Sequence, residues 1–191
     1  MEIILATQNN GKLKEFNYLA EGTNLKFILL PDEHVFPDET GSTFFENAFI
    51  KAQYAFSLTG KPSIGDDSGL EVDALAGKPG VFSSRYSKEG TDEANVNKLL
   101  KELESVPNKS RSSRFKCCLV LIQDDQNGFI TAEGKVEGKI SQEKRGYKGF
   151  GYDPIFIPKG SLLHMAEMDE KEKNLISHRA NAFKSLLKKL P

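Results

Sequence analysis

Cysteine is scarce in this chain: there are two, Cys117 and Cys118, adjacent in an apolar run. Neighbouring strand positions point to opposite faces, so a bridge between them is strained and buried, reduced thiols are expected. Histidine is nearly as rare, at positions 34, 164 and 178, and its spacing suits no zinc site. Long hydrophobic runs are missing too. Stretches such as Phe27 to Leu30 and Cys117 to Ile122 fall far short of the ~20 residues that cross a bilayer. Neither charge sign dominates: 26 Lys and Arg face 27 Asp and Glu, a formal net charge of −1. No global basic field therefore draws nucleic acid. Glu2 stands where a secretory signal would carry positive charge and no cleavage pattern follows, so the cytoplasm is the expected compartment.

What remains is an ordinary globular composition, 38% hydrophobic and 28% charged over 191 residues, enough for one domain with two lobes and a sizeable core. Residues 2–6 read as a buried strand, and a polar turn, Thr7-Gln-Asn-Asn-Gly-Lys12, leads into a helix with Leu13, Phe16, Leu19 and Ala20 on one face. A second strand at 25–30 precedes an acidic loop from Pro31 to Gly41 that holds Asp32, Glu33, Asp38 and Glu39. Thr43 and Glu46 have capping-box spacing, opening a helix with Phe45, Phe49, Ala52 and Phe56 inward and a stop at Gly60 to Pro62. A strand at about 62–66 runs into Asp66-Asp67-Ser68-Gly69, and Leu70 to Val72 extend it. Residues 92–104 form a helix with Val96, Leu99, Leu100 and Leu103 inward. A hairpin joins 115–123 to 129–140 across Asp124 to Gly128. A glycine-rich stretch from Gly146 to Asp153 leads to a short strand at 155–157. The last helix, N-capped by Ser177, turns Ala182, Phe183, Leu186, Leu187 and Leu190 inward. Strands alternate with helices, so the class is α/β with a mixed sheet.

Several nucleotide signatures are absent. There is no Gly-x4-Gly-Lys-Ser/Thr phosphate loop, and Pro154 breaks what Gly149-Phe-Gly151 begins as a dinucleotide fingerprint. Four polar clusters carry the chemistry instead. The turn at 7–12 offers backbone donors at a helix start together with Lys12, a setting that favours anions. Asp66 and Asp67 are adjacent carboxylates whose repulsion a hard cation would relieve; Mg²⁺ takes one or two such ligands beside phosphate oxygens. Strand alternation lets one of the pair face a site while the other braces the loop. Asp38 and Glu39 precede a helix that presents Asn47 and Lys51 on one face, four residues apart. Phe150, Gly151, Tyr152 and Asp153, with Lys173, His178 and Arg179, combine stacking, edge hydrogen bonding and charge, as a flat heterocycle with a phosphate tail requires. Each cluster also has a plain structural reading, as a helix-start turn, a solvated acidic turn or loop, or surface polarity.

Taken in order, Thr7-x-Asn9-x-Gly11-Lys12, Gly41-x-Thr43-Phe44-x-Glu46-Asn47-Ala48-x-x-Lys51-Ala52, Asp66-Asp-Ser-Gly-Leu70, Gly80-x-x-Ser83-x-Arg85-Tyr86, Gly149-Phe-Gly-Tyr-Asp-Pro-x-Phe156 and Ser177-His-Arg179 resemble the inosine triphosphate pyrophosphatase family of non-canonical purine nucleoside triphosphate pyrophosphatases. One such string is weak evidence. Six in register from Thr7 to Arg179 are not. Gln8 and Asn10 fill variable positions, and Ser84 departs from the small residue, often Ala, expected there.

The resemblance implies an elongated two-lobed α/β fold with a mixed central sheet flanked by helices, the nucleotide in the cleft between lobes, and a homodimer. It implies Mg²⁺-dependent hydrolysis of ITP, dITP and XTP to the monophosphate and pyrophosphate. Carried over, Thr7, Gln8, Asn9, Asn10, Gly11, Lys12 and Lys51 would bind substrate phosphates, and Asp67 would be general base and metal ligand. Ser68, Phe150, Gly151, Tyr152, Asp153, Lys173, His178 and Arg179 would line the nucleotide site. Glu39 would be the second metal ligand, with Asp38 as its rival. Two other readings stay open: a pyrophosphatase of other nucleoside triphosphates, and a non-catalytic nucleotide- or RNA-binding module.

Overall fold

The computed structural model describes residues 1–30, 34–124 and 128–190. The acidic positions Asp32 and Glu33 and the hairpin residues Asp125, Gln126 and Asn127 lie outside the described residues. Six strands, β1 (Glu2–Leu5), β2 (Lys26–Leu29), β3 (Ser63–Val72), β4 (Ser112–Ile122), β5 (Phe129–Ile140) and β6 (Phe156–Pro158), form a sheet in the order β2-β1-β3-β4-β5-β6. β1 runs parallel to β2, with Ile3 opposite Phe27, and parallel to β3, with Leu5 opposite Ile64. β5 and β6 are antiparallel, Lys139 opposite Ile157. The sheet is therefore mixed, and the class is α/β.

Among the described residues five α-helices accompany it: α1 (Asn10–Leu19), α2 (Phe44–Thr59), α3 (Asp92–Glu102), α4 (Glu170–Ile176) and α5 (His178–Leu187). None of the described helices is long and apolar enough to cross a membrane. The chain divides into two compact units. The first comprises Met1–Asp67, Cys117–Gly134 and Ala180–Pro191; the second comprises Ser68–Lys116 and Lys135–Arg179. The first unit's main core gathers Ile3, Leu5, Phe16, Phe27, Ile64, Leu119, Phe183 and Leu186. Its centre is an aromatic triangle, with Phe16, Phe27 and Phe183 ring centroids 5.0 to 6.1 Å apart. Such pairs add about 0.5–1.5 kcal/mol each beyond their burial. The second unit's core collects Leu70, Val72, Leu99, Phe115, Ile140, Phe156 and Met165.

The helix starts follow their local chemistry. Asn9 caps α1, its side-chain oxygen accepting from the backbone of Gly11 and Lys12. At α2, Thr43 accepts from the Glu46 amide while the Glu46 carboxylate accepts from Ser42 and Thr43, bonds that hold Glu46 below the usual carboxylate range. Gly60, with φ 61°, closes that helix in the left-handed conformation.

Four expectations change. Phe45 is not inward: it is 36% exposed, and Phe45 and Phe49 pack on Phe129 at 5.7 and 5.3 Å. The buried face of α2 holds Asn47, Ala48, Lys51, Ala52, Ala55 and Phe56 instead. The reason is close approach to β3 at Gly65, where an added Cβ would sit 1.9 Å from the Ala48 carbonyl oxygen. Only small residues fit at such a contact. Second, the strand expected at about 62–66 does not stop there: β3 runs unbroken through Asp66 to Gly69 and on to Val72, ten residues in all. Third, the strand expected at 155–157 starts at Phe156, after a single 3₁₀ turn over Asp153–Ile155 containing Pro154. Fourth, α4 was not foreseen. Asp169 and Glu172 make its capping box, and Ser177, expected only as the N-cap of α5, ends it by donating to the Lys173 carbonyl.

Candidate active site

In the first unit, β3 delivers the two aspartates, and neither is solvated. Asp66 is fully buried and Asp67 is 5% exposed. Alternation along the strand gives them separate partners. Asp66 receives the Lys12 ammonium at 2.5 Å on Oδ1 and the Cys117 thiol at 3.4 Å on Oδ2. Lys12 sits in the first turn of α1, so Asp66 ties that turn to the strand.

Asp67 faces α2. Its Oδ1 lies 3.1 Å from Lys51 Nζ, and its Oδ2 accepts from the Asn47 amide at 3.2 Å. The Lys51 ammonium also reaches Glu39 Oε1 at 2.6 Å. Asn47 is itself fixed, because its Oδ1 accepts from the Gly41 amide at 2.8 Å. Burial raises Asp67 above the usual carboxylate range; Lys51 opposes that shift and Glu39 reinforces it. For Lys51 burial pulls downward, but Asp67 and then Glu39 win, and the ammonium is held above its ordinary value.

Asp38, the rival to Glu39, is exposed. The rest of the 7–12 segment is polar and open. Thr7 Oγ1 accepts from the Asn9 amide, Gln8 donates to the His34 carbonyl at 3.0 Å, and Gln8, Asn9, Asn10 and Gly11 are exposed.

In the second unit, the loop Gly149–Asp153 is drawn around one carboxylate. Asp153 Oδ2 accepts from the Phe150 amide at 3.0 Å and from Lys173 Nζ at 2.7 Å. Gly149 has φ 77°, and a Cβ there would meet Asp153 Oδ2 at 2.0 Å, so glycine is required twice over. Gly151 donates to Asp92 at 2.7 Å. Tyr152 turns inward, 4% exposed, and its phenol donates to the Ser83 carbonyl at 2.8 Å. Phe150 remains half-buried, with Lys173 Nζ 4.6 Å and the Arg179 guanidinium 5.9 Å from its ring centroid. Arg179, 1% exposed, donates to Ser68 Oγ at 3.2 Å, and His178 stacks on Phe115 at 4.9 Å and 13°. Asp66 and Asn47 were read within polar clusters but given no binding or catalytic role, Ser83 appeared only within one of the six strings, and Asp92 was not singled out.

The first unit thus holds two buried, ion-paired acids, and the second an aromatic ring flanked by cations and a carboxylate. Residues 3–189 match the model of the Ham1 family. The chain belongs to the Ham1 family. Among Ham1 relatives, the dITP/XTP pyrophosphatase of Bacillus licheniformis is 50% identical over 188 residues, covering 97% of this chain and 95% of that protein. The dITP/XTP pyrophosphatase of Bacillus subtilis is 47% identical, covering 99% and 96%. Among solved structures, a HAM1 protein from Coxiella burnetii superposes with a TM-score of 0.87 at 43% identity over the whole of both chains. The Ham1 protein of Staphylococcus aureus gives 0.82 at 39%, covering 96% and 95%.

The Ham1 assignment raises the question of metal. Among the described residues no three or more His, Cys, Asp or Glu side chains cluster to hold an ion by themselves. Glu39 and Asp67 are hard oxygen donors already sharing one cation, the Lys51 ammonium. That donor set fits a Mg²⁺ ion arriving with a triphosphate, which needs one or two protein carboxylates and completes its shell with phosphate oxygens and water.

Proposed function

We propose that this chain, as a single domain, hydrolyses non-canonical purine nucleoside triphosphates, ITP, dITP and XTP, to the monophosphate and pyrophosphate. Asp67 carries the reading: it is buried and clamped by Lys51 and Asn47 while Glu39 crowds the same lysine. A carboxylate raised by burial is a better base than a solvated one. Its role is to orient and deprotonate a water for in-line attack on the α-phosphorus, with pyrophosphate leaving. Thr7, Gln8, Asn9, Asn10, Gly11 and Lys12 bind phosphate through the polar groups at the start of α1 and the Lys12 charge, and Lys51 neutralises charge beside Asp67. Mg²⁺, held by Glu39 and Asp67 in preference to the exposed Asp38, would supply further neutralisation of the phosphates when bound.

Phe150 stacks on the base. Gly151 and Tyr152 contribute backbone, and Asp153 offers an acceptor. Lys173, His178 and Arg179, with Ser68, present donors. Lysine and arginine only donate, which suits the 6-oxo group of a deaminated purine and leaves adenine's amine facing unpaired donors. The family resemblance supports a cytoplasmic homodimer acting on free nucleotides rather than on nucleic acid or membrane.

Pyrophosphate release from a panel of ITP, dITP, XTP, GTP, ATP and pyrimidine triphosphates with Mg²⁺ tests the reading. A much higher kcat/KM for ITP, dITP and XTP than for ATP is expected. Equal values across purines, or preference for pyrimidines, would defeat it. Binding without turnover would point to a non-catalytic module.

A further inference from the structure

The first turn of α3 has no part in the chemistry above, yet it holds the loop that carries Phe150. Asp92 accepts the Gly151 amide at 2.7 Å. Three residues on, Asn95 is 2% exposed, accepts from the Ser87 amide at 2.7 Å and donates to the Ser84 carbonyl at 3.0 Å. Those bonds fix the 3₁₀ segment Gly80–Arg85. Within that segment, the Ser83 carbonyl takes the Tyr152 phenol, and Ser83 Oγ accepts from the Leu70 amide at 2.9 Å. The loop is thus moored to one helical turn twice, at Gly151 directly and at Tyr152 through Ser83.

The loop needs such moorings. Gly149 and Gly151 both lie at positive φ, 77° and 62°. A glycine-rich segment loses much conformational freedom on ordering and has little side-chain packing to hold it. Inside the loop, Asp153 fixes the Phe150 amide. What fixes the next peptide is Asp92.

We propose that Asp92 is a positioning residue for the base-stacking ring of Phe150, with Asn95 bracing the second mooring. The proposal rests on Phe150 as the base platform. Asp92 acts through the Gly151 peptide. Its loss loosens base binding and leaves the chemical step alone.

The test is steady-state kinetics on dITP for Asp92→Ala, Asp92→Asn, Phe150→Ala and the Asp92→Ala/Phe150→Ala pair. Asp92→Ala is expected to raise KM about five- to tenfold, the worth of one such hydrogen bond, with kcat unchanged within about twofold. Asp92→Asn keeps a side-chain carbonyl acceptor and should recover most of the loss. In the Phe150→Ala background, Asp92→Ala should add nothing further. The inference is overturned if Phe150→Ala raises KM and Asp92→Ala does not, or if the two effects multiply. A lower Tm for Asp92→Ala with unchanged KM would also overturn it, since that is what mere support of the α3 terminus predicts. An unchanged KM for Phe150→Ala is a different failure: it removes Phe150 as platform and takes this inference with it.

Discussion

Lys51 sets its ammonium 3.1 Å from Oδ1 of an aspartate, Asp67, that is only 5% exposed. Both groups are taken from water, and Glu39 competes for the same lysine at 2.6 Å. The net result is an Asp67 harder to ionise than in solution, despite the cation beside it. Burying such a group costs the fold some stability.

Asp67→Asn follows directly. With the proposed general base removed, kcat should fall by about 10²- to 10⁴-fold. The amide carries no charge to be kept from water, and Lys51 keeps Glu39 as partner. Tm should therefore hold or rise. Pyrophosphate release and thermal unfolding measure the two effects. Wild-type turnover in the variant, or a large fall in Tm, would remove Asp67 from the centre of the site.

The same shift fixes a pH dependence, best read in EDTA so that metal does not intervene. Asp67 is raised on folding above its unfolded value of 3.8. Its contribution to stability is whole below that value and is lost as pH rises through the higher folded one. The Tm gap between Asp67→Asn and wild type should therefore be small near pH ~4 and widen in the variant's favour towards pH ~8. A gap that narrows as pH rises has the wrong sign.

Local chemistry made much of this legible beforehand. The Thr43–Glu46 capping box, the strand that carries Asp66 and Asp67, and the place of His178 and Arg179 in the first turn of α5 all came from short-range rules. What escaped was tertiary. Periodicity put Phe45 inward because phenylalanine is apolar, but Gly65 brings β3 so near α2 that the contact selects Ala48 and Ala52. Asp66 had no definable role because its partners, Lys12 and Cys117, are 54 and 51 residues away. Asp92 looked like any acid at a helix start; the peptide it binds is 59 residues on.

The cysteines make a chemical prediction. Cys118 is buried, and that burial, with lesser help from Glu133, Asp67 and Asp66, pushes its thiol up to about 12. Cys117, also buried, donates its proton to Asp66. Both thiols are buried and Cys118 presents no thiolate near neutrality, so a disulfide reagent at pH ~8 should titrate neither in the native protein and both after denaturation. Since the Cys118 value is raised on folding, its contribution to stability is present below the ordinary 9.0 and is lost as pH climbs towards about 12. Rapid labelling of native protein would contradict the packing of β4.

Gly65→Ala tests whether the distance between α2 and β3 matters to the site as well as to the fold. An alanine Cβ would fall 1.9 Å from the Ala48 oxygen, 2.8 Å from its carbonyl carbon and 3.0 Å from the Ala52 nitrogen. Those are backbone atoms of a helix, so no rotamer change relieves them. The helix must move, at a cost of about 1–3 kcal/mol typical of overpacking, and Lys51 and Asn47 move with it. Stability should fall, and kcat should fall further than the unfolded fraction explains at a temperature where the variant is still folded. Gly22→Ala, at positive φ but with open space around its Cβ, gives a control for strain without collision. If Gly65→Ala matched that control in both Tm and kcat, close contact at Gly65 would not be what holds Lys51 on Asp67.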